Sequence, residues 1–160
     1  DKLHDPQLRA QLRKEMDDPA SDYENFYRNS GGWEGVTLCC CPNPPEAEGK
    51  TVAAYAAELG KDPFEAYFDL VIANRGMGTA VYHSISDADI FDIIRLPYVM
   101  VGSDGLMSGG QGHPRAAGSF PRFLAEFSRK GNLRLYDAVE KITAQRIADF
   151  EKQLNTEIHR

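Results

Sequence analysis

The sequence predicts an α/β fold, and three adjacent segments carry that prediction. Thr79-Ala80-Val81-Tyr82-His83-Ser84-Ile85 is strand-like and preceded by glycines. Ser86-Asp87-Ala88-Asp89 has the form of an N-cap, and the helix behind it bears Ile90, Phe91, Ile93 and Ile94. Tyr98-Val99-Met100-Val101 is a nearly continuous apolar run, which suits a strand buried on both faces of a parallel sheet. Strand, short helix and strand make a β-α-β unit, whose connection should be right-handed.

Upstream, the pattern is helical. Asp5-Pro6 offers an N-cap and a first-turn proline, and Leu8, Leu12 and Met16 follow at four-residue spacing. Asp17-Asp18-Pro19 ends that helix, because the residue before proline is driven out of the helical region. Ser21 to Gly32 is polar and turn-rich and reads as a loop. Val36-Thr37-Leu38 is a short strand leading into Cys39, Cys40 and Cys41, and Pro42-Asn43-Pro44-Pro45 stops it. A helix over 51–59 places Val52, Tyr55, Ala56 and Leu59 on one face, with Gly60 to close it. Asp62-Pro63-Phe64-Glu65 starts another as cap, first helical position and capping-box acid, with Phe64, Tyr67, Phe68 and Val71 as its core stripe.

Downstream of Val101 runs a long glycine-rich connection, Gly102 to Gly118. A helix then starts at Ser119-Phe120-Pro121 and carries Phe123, Leu124 and Phe127, with Gly131 near its end. A last helix from Leu135 to about residue 155 shows Ala138, Val139, Ile142 and Phe150 on its apolar side. Two regions emerge: 1–76, rich in helix, and 77–160, which holds the strand pair, the long loop and the closing helices.

Composition narrows the function. Of 160 residues, 42% are hydrophobic and 26% charged, with a net charge of -6 and scattered basic residues. That balance gives no electrostatic footprint for nucleic acid or an anionic membrane. No apolar run approaches the ~20 residues needed to span a bilayer. Three consecutive cysteines cannot build a disulfide framework and lack the spacing of a metal site, so they read as small strand residues in a reducing, cytoplasmic setting.

The chemistry concentrates in Val101-Gly102-Ser103-Asp104-Gly105 and Gly112-His113-Pro114-Arg115. Asp104 lies just past the end of a predicted parallel strand, the edge where such folds gather ligands and catalytic groups. Arg115 offers a planar, two-pronged donor for a carboxylate. His113 stands beside it as a second binding candidate, whereas His83, at the end of its strand, reads as a hydrogen-bonded edge residue. On residue types alone, Asp104 is equally a turn former or a base.

These motifs carry a resemblance. Gly102-Ser103-Asp104-Gly105, His113-Pro114-Arg115 and Gly118-Ser119-Phe120-Pro121-Arg122-Phe123-Leu124 resemble the segment around the last barrel strand of N-acyl-D-amino-acid deacylases. Ala138-Val139-Glu140-Lys141-Ile142-Thr143 continues the likeness, and Gly60-Lys61-Asp62-Pro63-Phe64 and Ser84-Ile85-Ser86 extend it upstream, over about residues 5 to 145. The resemblance implies an amidohydrolase: the last strands and helices of a metal-dependent (β/α)8 barrel, with 1–76 as an inserted subdomain. It further implies zinc as cofactor and hydrolysis of an N-acyl-D-amino acid to a D-amino acid and a carboxylate. Asp104 becomes the general base, with at most a weak contact to metal, and Arg115 the holder of the substrate carboxylate.

The family's Cys and paired His zinc ligands have no counterpart in this sequence, where His4, His83, His113 and His159 stand alone. The expectation is therefore a piece of a longer enzyme, inactive alone, whose partners are the remainder of the barrel or a second copy across open strand edges. A stand-alone α/β binding module without catalysis is the competing reading. A dihydroorotase- or hydantoinase-like amidohydrolase ranks below the deacylase, because of the His-Pro-Arg and Phe-Pro-Arg elements.

Overall fold

The structure, a computed structural model, describes residues 2–105, 107–108, 111–131, 133–143, 148 and 151–152. Its contacts divide the chain into two compact units, Asp1–Ile85 with Ser108–His113, and Ser86–Met107 with Pro114–Arg160.

In the first unit, α1 (Pro6–Asp17) starts where expected, with the Asp5 side chain accepting from the Gln7 amide. Between Ser21 and Gly32, read as loop, one short helix forms: α2 (Phe26–Asn29), capped by Asn25. The cap side chain is itself buried and donates to the Met16 carbonyl, which is a tertiary bond that no local pattern reveals. The strand β1 (Val36–Cys40) follows, then α3 (Val52–Leu59) under a Thr51 cap and closed by Gly60 in the left-handed conformation, φ 62°. In α4 (Pro63–Ala73) the Asp62 carboxylate accepts from the amides of Phe64 and Glu65. Glu65, expected to act in a capping box, is bound by the Arg9 guanidinium, a charge-assisted partner stronger than a neutral amide.

The core of this unit is aromatic. Trp33 packs on Tyr27 at 4.4 Å, Tyr67 at 4.7 Å and Phe64 at 5.0 Å between ring centres. Val36, Val52 and Tyr55 close it from β1 and α3. From α1, Leu12 and Met16 pack against this core, and Arg9 clamps Glu65 and Asp69 of α4.

The strand β2 (Thr79–Tyr82) pairs antiparallel with β1: Val36 faces Tyr82, Thr37 faces Val81, Leu38 faces Ala80 and Cys40 faces Thr79. The register shift between Leu38 and Cys40 leaves Cys39 as the extra residue of a bulge. The predicted parallel β-α-β unit therefore needs correction. Residues 79–82 find their partner in β1, and residues 98–101 join no ladder among the described residues.

The second unit begins with α5 (Asp87–Arg95), where the Ser86 hydroxyl accepts from the Asp89 amide at 3.1 Å. Within the Ser108–His113 segment of the first unit lies β4 (Gln111–Gly112), which forms a short ladder with β3 (Met107–Ser108). One helical stretch then comprises α6 (Arg115–Arg122), a π-turn over Phe123–Phe127 and α7 (Ser128–Lys130). Pro121 lies inside it and has no amide to donate, which accounts for the widened turn that follows. Phe123 and Phe127 are buried against Ala138 of α8 (Leu135–Ile142), with Phe91 of α5 at 5.0 Å from Phe127. The expected continuation of the last helix, with Phe150, lies mostly outside the described residues; 148, 151 and 152 are helical. Among the described residues no helix is long and apolar enough to cross a membrane.

The clamp on α1 predicts an acid-sensitive first unit. Partial burial lifts the Asp69 carboxyl, but hydrogen bonds from Lys61 and Arg9 outweigh this and hold it below the ordinary carboxylate value. A depressed folded value stabilises above the unfolded value of ~3.9 and is lost as pH falls through the folded one. Thermal unfolding followed from pH 5 to pH 2 should show this loss, and Asp69→Asn should flatten the profile.

Candidate active site

Asp104 and Arg115 are joined by an ion pair, Arg115 Nη2 to Asp104 Oδ2 at 3.0 Å. The carboxylate side chain is 90% exposed and the guanidinium 46%, so the pair contributes little to stability, typically ~0–1 kcal/mol. Its geometry comes instead from the backbone on either side. Asp104 adopts φ 44°, a left-handed conformation that aspartate tolerates better than most residues. The amide of Gly105 donates to the Ser103 hydroxyl at 3.3 Å. A Cβ on Gly105 would stand 2.3 Å from Ala116 Cα, so the loop backbone lies directly on the first turn of α6. That close approach, open only to glycine, sets the carboxylate against the residue preceding Ala116.

On the strand side, the anchor is Lys141. This lysine of α8 is only 5% exposed, so its side-chain nitrogen needs partners within the chain. Its Nζ donates to the carbonyls of Leu96 at 2.7 Å and Val99 at 2.9 Å, and its own carbonyl accepts from the Val101 amide at 3.2 Å. The run 98–101 thus satisfies backbone groups on one helix residue where a sheet partner was expected. The sequence showed Lys141 only as part of a motif; a buried lysine inside an otherwise amphipathic helix was the available signal.

The structure brings Asp104 and Arg115 together. His113, two residues before Arg115, is half-buried. His83 contacts the Thr37 hydroxyl through Nε2 at 3.2 Å, the edge role expected of it. Among the described residues no group of three or more His, Cys, Asp or Glu side chains is placed to hold a metal ion. Burial pushes the thiols of Cys39 and Cys41 up, away from the thiolate form that a metal needs.

No family model matches the chain. Among curated proteins it is 34% identical over 111 residues to the D-aminoacylase of Alcaligenes xylosoxydans xylosoxydans, covering 69% of this chain and 22% of that protein. It is 37% identical over 101 residues to the N-acyl-D-glutamate deacylase of the same organism, covering 62% and 20%. The chain is a relative of the N-acyl-D-amino-acid deacylases. It spans about a fifth of the length of the curated deacylases it matches.

Solved deacylase structures share its fold over about a quarter of their own length. The N-acyl-D-glutamate deacylase of Bordetella bronchiseptica, complexed with zinc and a phosphonate mimic of the tetrahedral intermediate, aligns with a TM-score of 0.59 and 30% identity, over 78% of this chain and 25% of that one. A D-aminoacylase described as defining a novel subset of amidohydrolases aligns with a TM-score of 0.55 and 32% identity, over 72% and 24%. A third neighbour, also a D-aminoacylase, is described by its binuclear metal centre. The zinc of these relatives finds no ligand set among the described residues of this chain.

Two substitutions test the anchors of the loop. Lys141→Met keeps the helix but takes the donor from the Val99 carbonyl, while Leu96 O retains the Val99 amide, at a cost of about 1–3 kcal/mol in denaturant unfolding of the second unit. Gly105→Ala forces the loop off α6 and should cost about 1–3 kcal/mol, whereas Ser103→Ala should change stability by less than about 1 kcal/mol.

Proposed function

We propose that this chain is the C-terminal part of the catalytic region of a zinc-dependent amidohydrolase that cleaves N-acyl-D-amino acids to a D-amino acid and a carboxylate. The observation that carries the reading is the Asp104–Arg115 pair at 3.0 Å, an exposed carboxylate held beside an exposed guanidinium on a loop that only glycine can shape. Likeness to deacylases at 30–37% identity supports the reaction class.

The proton work falls to Asp104. Its carboxylate accepts a proton from the attacking water and returns it to the nitrogen of the leaving amine, so that the amide C–N bond breaks without a free amide anion. Arg115 takes the α-carboxylate of the substrate in a forked pair, which fixes the scissile bond relative to the base. The two roles are coupled. Without substrate the guanidinium binds Asp104; a substrate carboxylate competes for that guanidinium and releases the base. The metal named in the relatives would be held by residues outside those described here, and its chemistry would lower the pKa of bound water.

This reading assigns 1–76 to an insertion and 77–160 to barrel elements, in a cytoplasmic enzyme whose remaining barrel covers the apolar side chains exposed on the second unit. Tyr98 is 73% exposed and Tyr136 71%, far more than a self-contained unit needs.

The test is kinetic. In the full-length protein that carries this segment, Asp104→Asn should lower kcat for N-acetyl-D-amino acids by ~10²–10⁴ with little change in KM. Arg115→Lys should raise KM by roughly tenfold, since a single ammonium cannot reproduce the fork. The isolated 160-residue chain, supplied with zinc, should turn over no substrate. Hydrolysis by the isolated chain, or full activity in the asparagine variant, would overturn the proposal.

A further inference from the structure

The first unit contains a cavity that the deacylase reading does not use. It has a volume of about 190 Å³ and lies between the β1–β2 ladder and α4. Its floor is made by Leu38, Cys41, Leu70 and Asn74, all buried, and its mouth by Gly76, Gly78, Thr79 and Tyr82, all exposed. Strand alternation, continued without interruption, would send Cys40 and Cys41 to opposite faces. The bulge at Cys39 and the end of β1 at Cys40 put both on this one cavity. Bulges are commonly found where a strand edge is shaped around a site.

We infer that this cavity is a binding site for a small, uncharged, apolar molecule of benzene to indole size. Three observations select that class. An apolar cavity of roughly 150 Å³ stays dry and takes benzene, so this one is large enough. No Asp, Glu, Lys, Arg or His lines it. The polar side chain on its floor, Asn74, already has partners within the chain. The Asn74 amide donates to Leu70 O at 2.9 Å, Asn43 O at 2.7 Å and Cys41 Sγ at 3.1 Å, and its oxygen accepts from the Asn43 amide at 3.0 Å. Burial first, then the neighbouring Tyr82, push the Tyr67 hydroxyl up to about 12. A charged ligand entering here would lose its hydration and gain no counter-charge. An apolar one gains contact with aliphatic, aromatic and sulfur atoms, all polarizable.

Indole and its charged analogue indole-3-carboxylate are the probes. Indole at about ten times its dissociation constant should raise the thermal midpoint of the first unit by about 6–11 °C, and the carboxylate by none. Intermolecular NOEs from indole should reach the methyl groups of Leu70, Val71 and Ala80. Ala80→Leu fills the cavity and should weaken binding at least tenfold; Val71→Phe, on the half-exposed wall, does the same should the first variant unfold. Absence of a shift with indole, equal binding of the carboxylate, NOEs to residues elsewhere, or undiminished binding in a folded filled variant would each overturn the inference. None of these results depends on hydrolysis, so failure here and failure of the deacylase reading are distinct.

Discussion

Lys141 is the buried side chain on which the second unit depends. A lysine out of water is costly unless its donors are met, and here two carbonyls of the 96–99 turn meet them. The same residue's carbonyl receives the Val101 amide, so one position on α8 holds the apolar run at both ends. Three residues later Asp104 enters a left-handed conformation, and Gly105 presses on α6. The carboxylate at the tip is thus placed by a chain of backbone constraints, each satisfied by a particular residue type. Its own ion pair is too exposed to do that placing.

The first unit is built on different physics. Its aromatic cluster around Trp33 and its Arg9 clamp give it an interior independent of the loop chemistry. Within that interior, a one-residue bulge leaves a lined cavity beside two thiols, and the neighbouring Asn74 is already engaged. The Asp104–Arg115 pair and the recess beside Cys40 and Cys41 are two different features, carried by two compact units.

Much of this was legible in the residues, and each failure has a physical cause. Helix starts at Asp5, Thr51, Asp62 and Ser86 were readable because caps are local: the side chain bonds an amide two or three residues on. Asn25 caps just as locally, accepting from the Arg28 amide, but the four-residue helix behind it is too short to show an apolar period. The apolar run Tyr98–Val101 was read as a parallel strand, since hydrophobicity reports burial and not the identity of the hydrogen-bond partner. Lys141 supplies that partner. Asp104 and Arg115 stand together because Gly105 lies on Ala116, a close backbone approach that a lone glycine in a glycine-rich stretch does not specify.

The account stands on residue 104 acting as the base. A structure of the full-length protein with a phosphonate mimic of the tetrahedral intermediate measures this directly. The prediction is one carboxylate oxygen of Asp104 at about 2.6–3.2 Å from a phosphonate oxygen, with the Arg115 fork on the ligand's carboxylate. An Asp104 side chain still paired with Arg115, or turned back to cap α6, while the inhibitor is bound would contradict it.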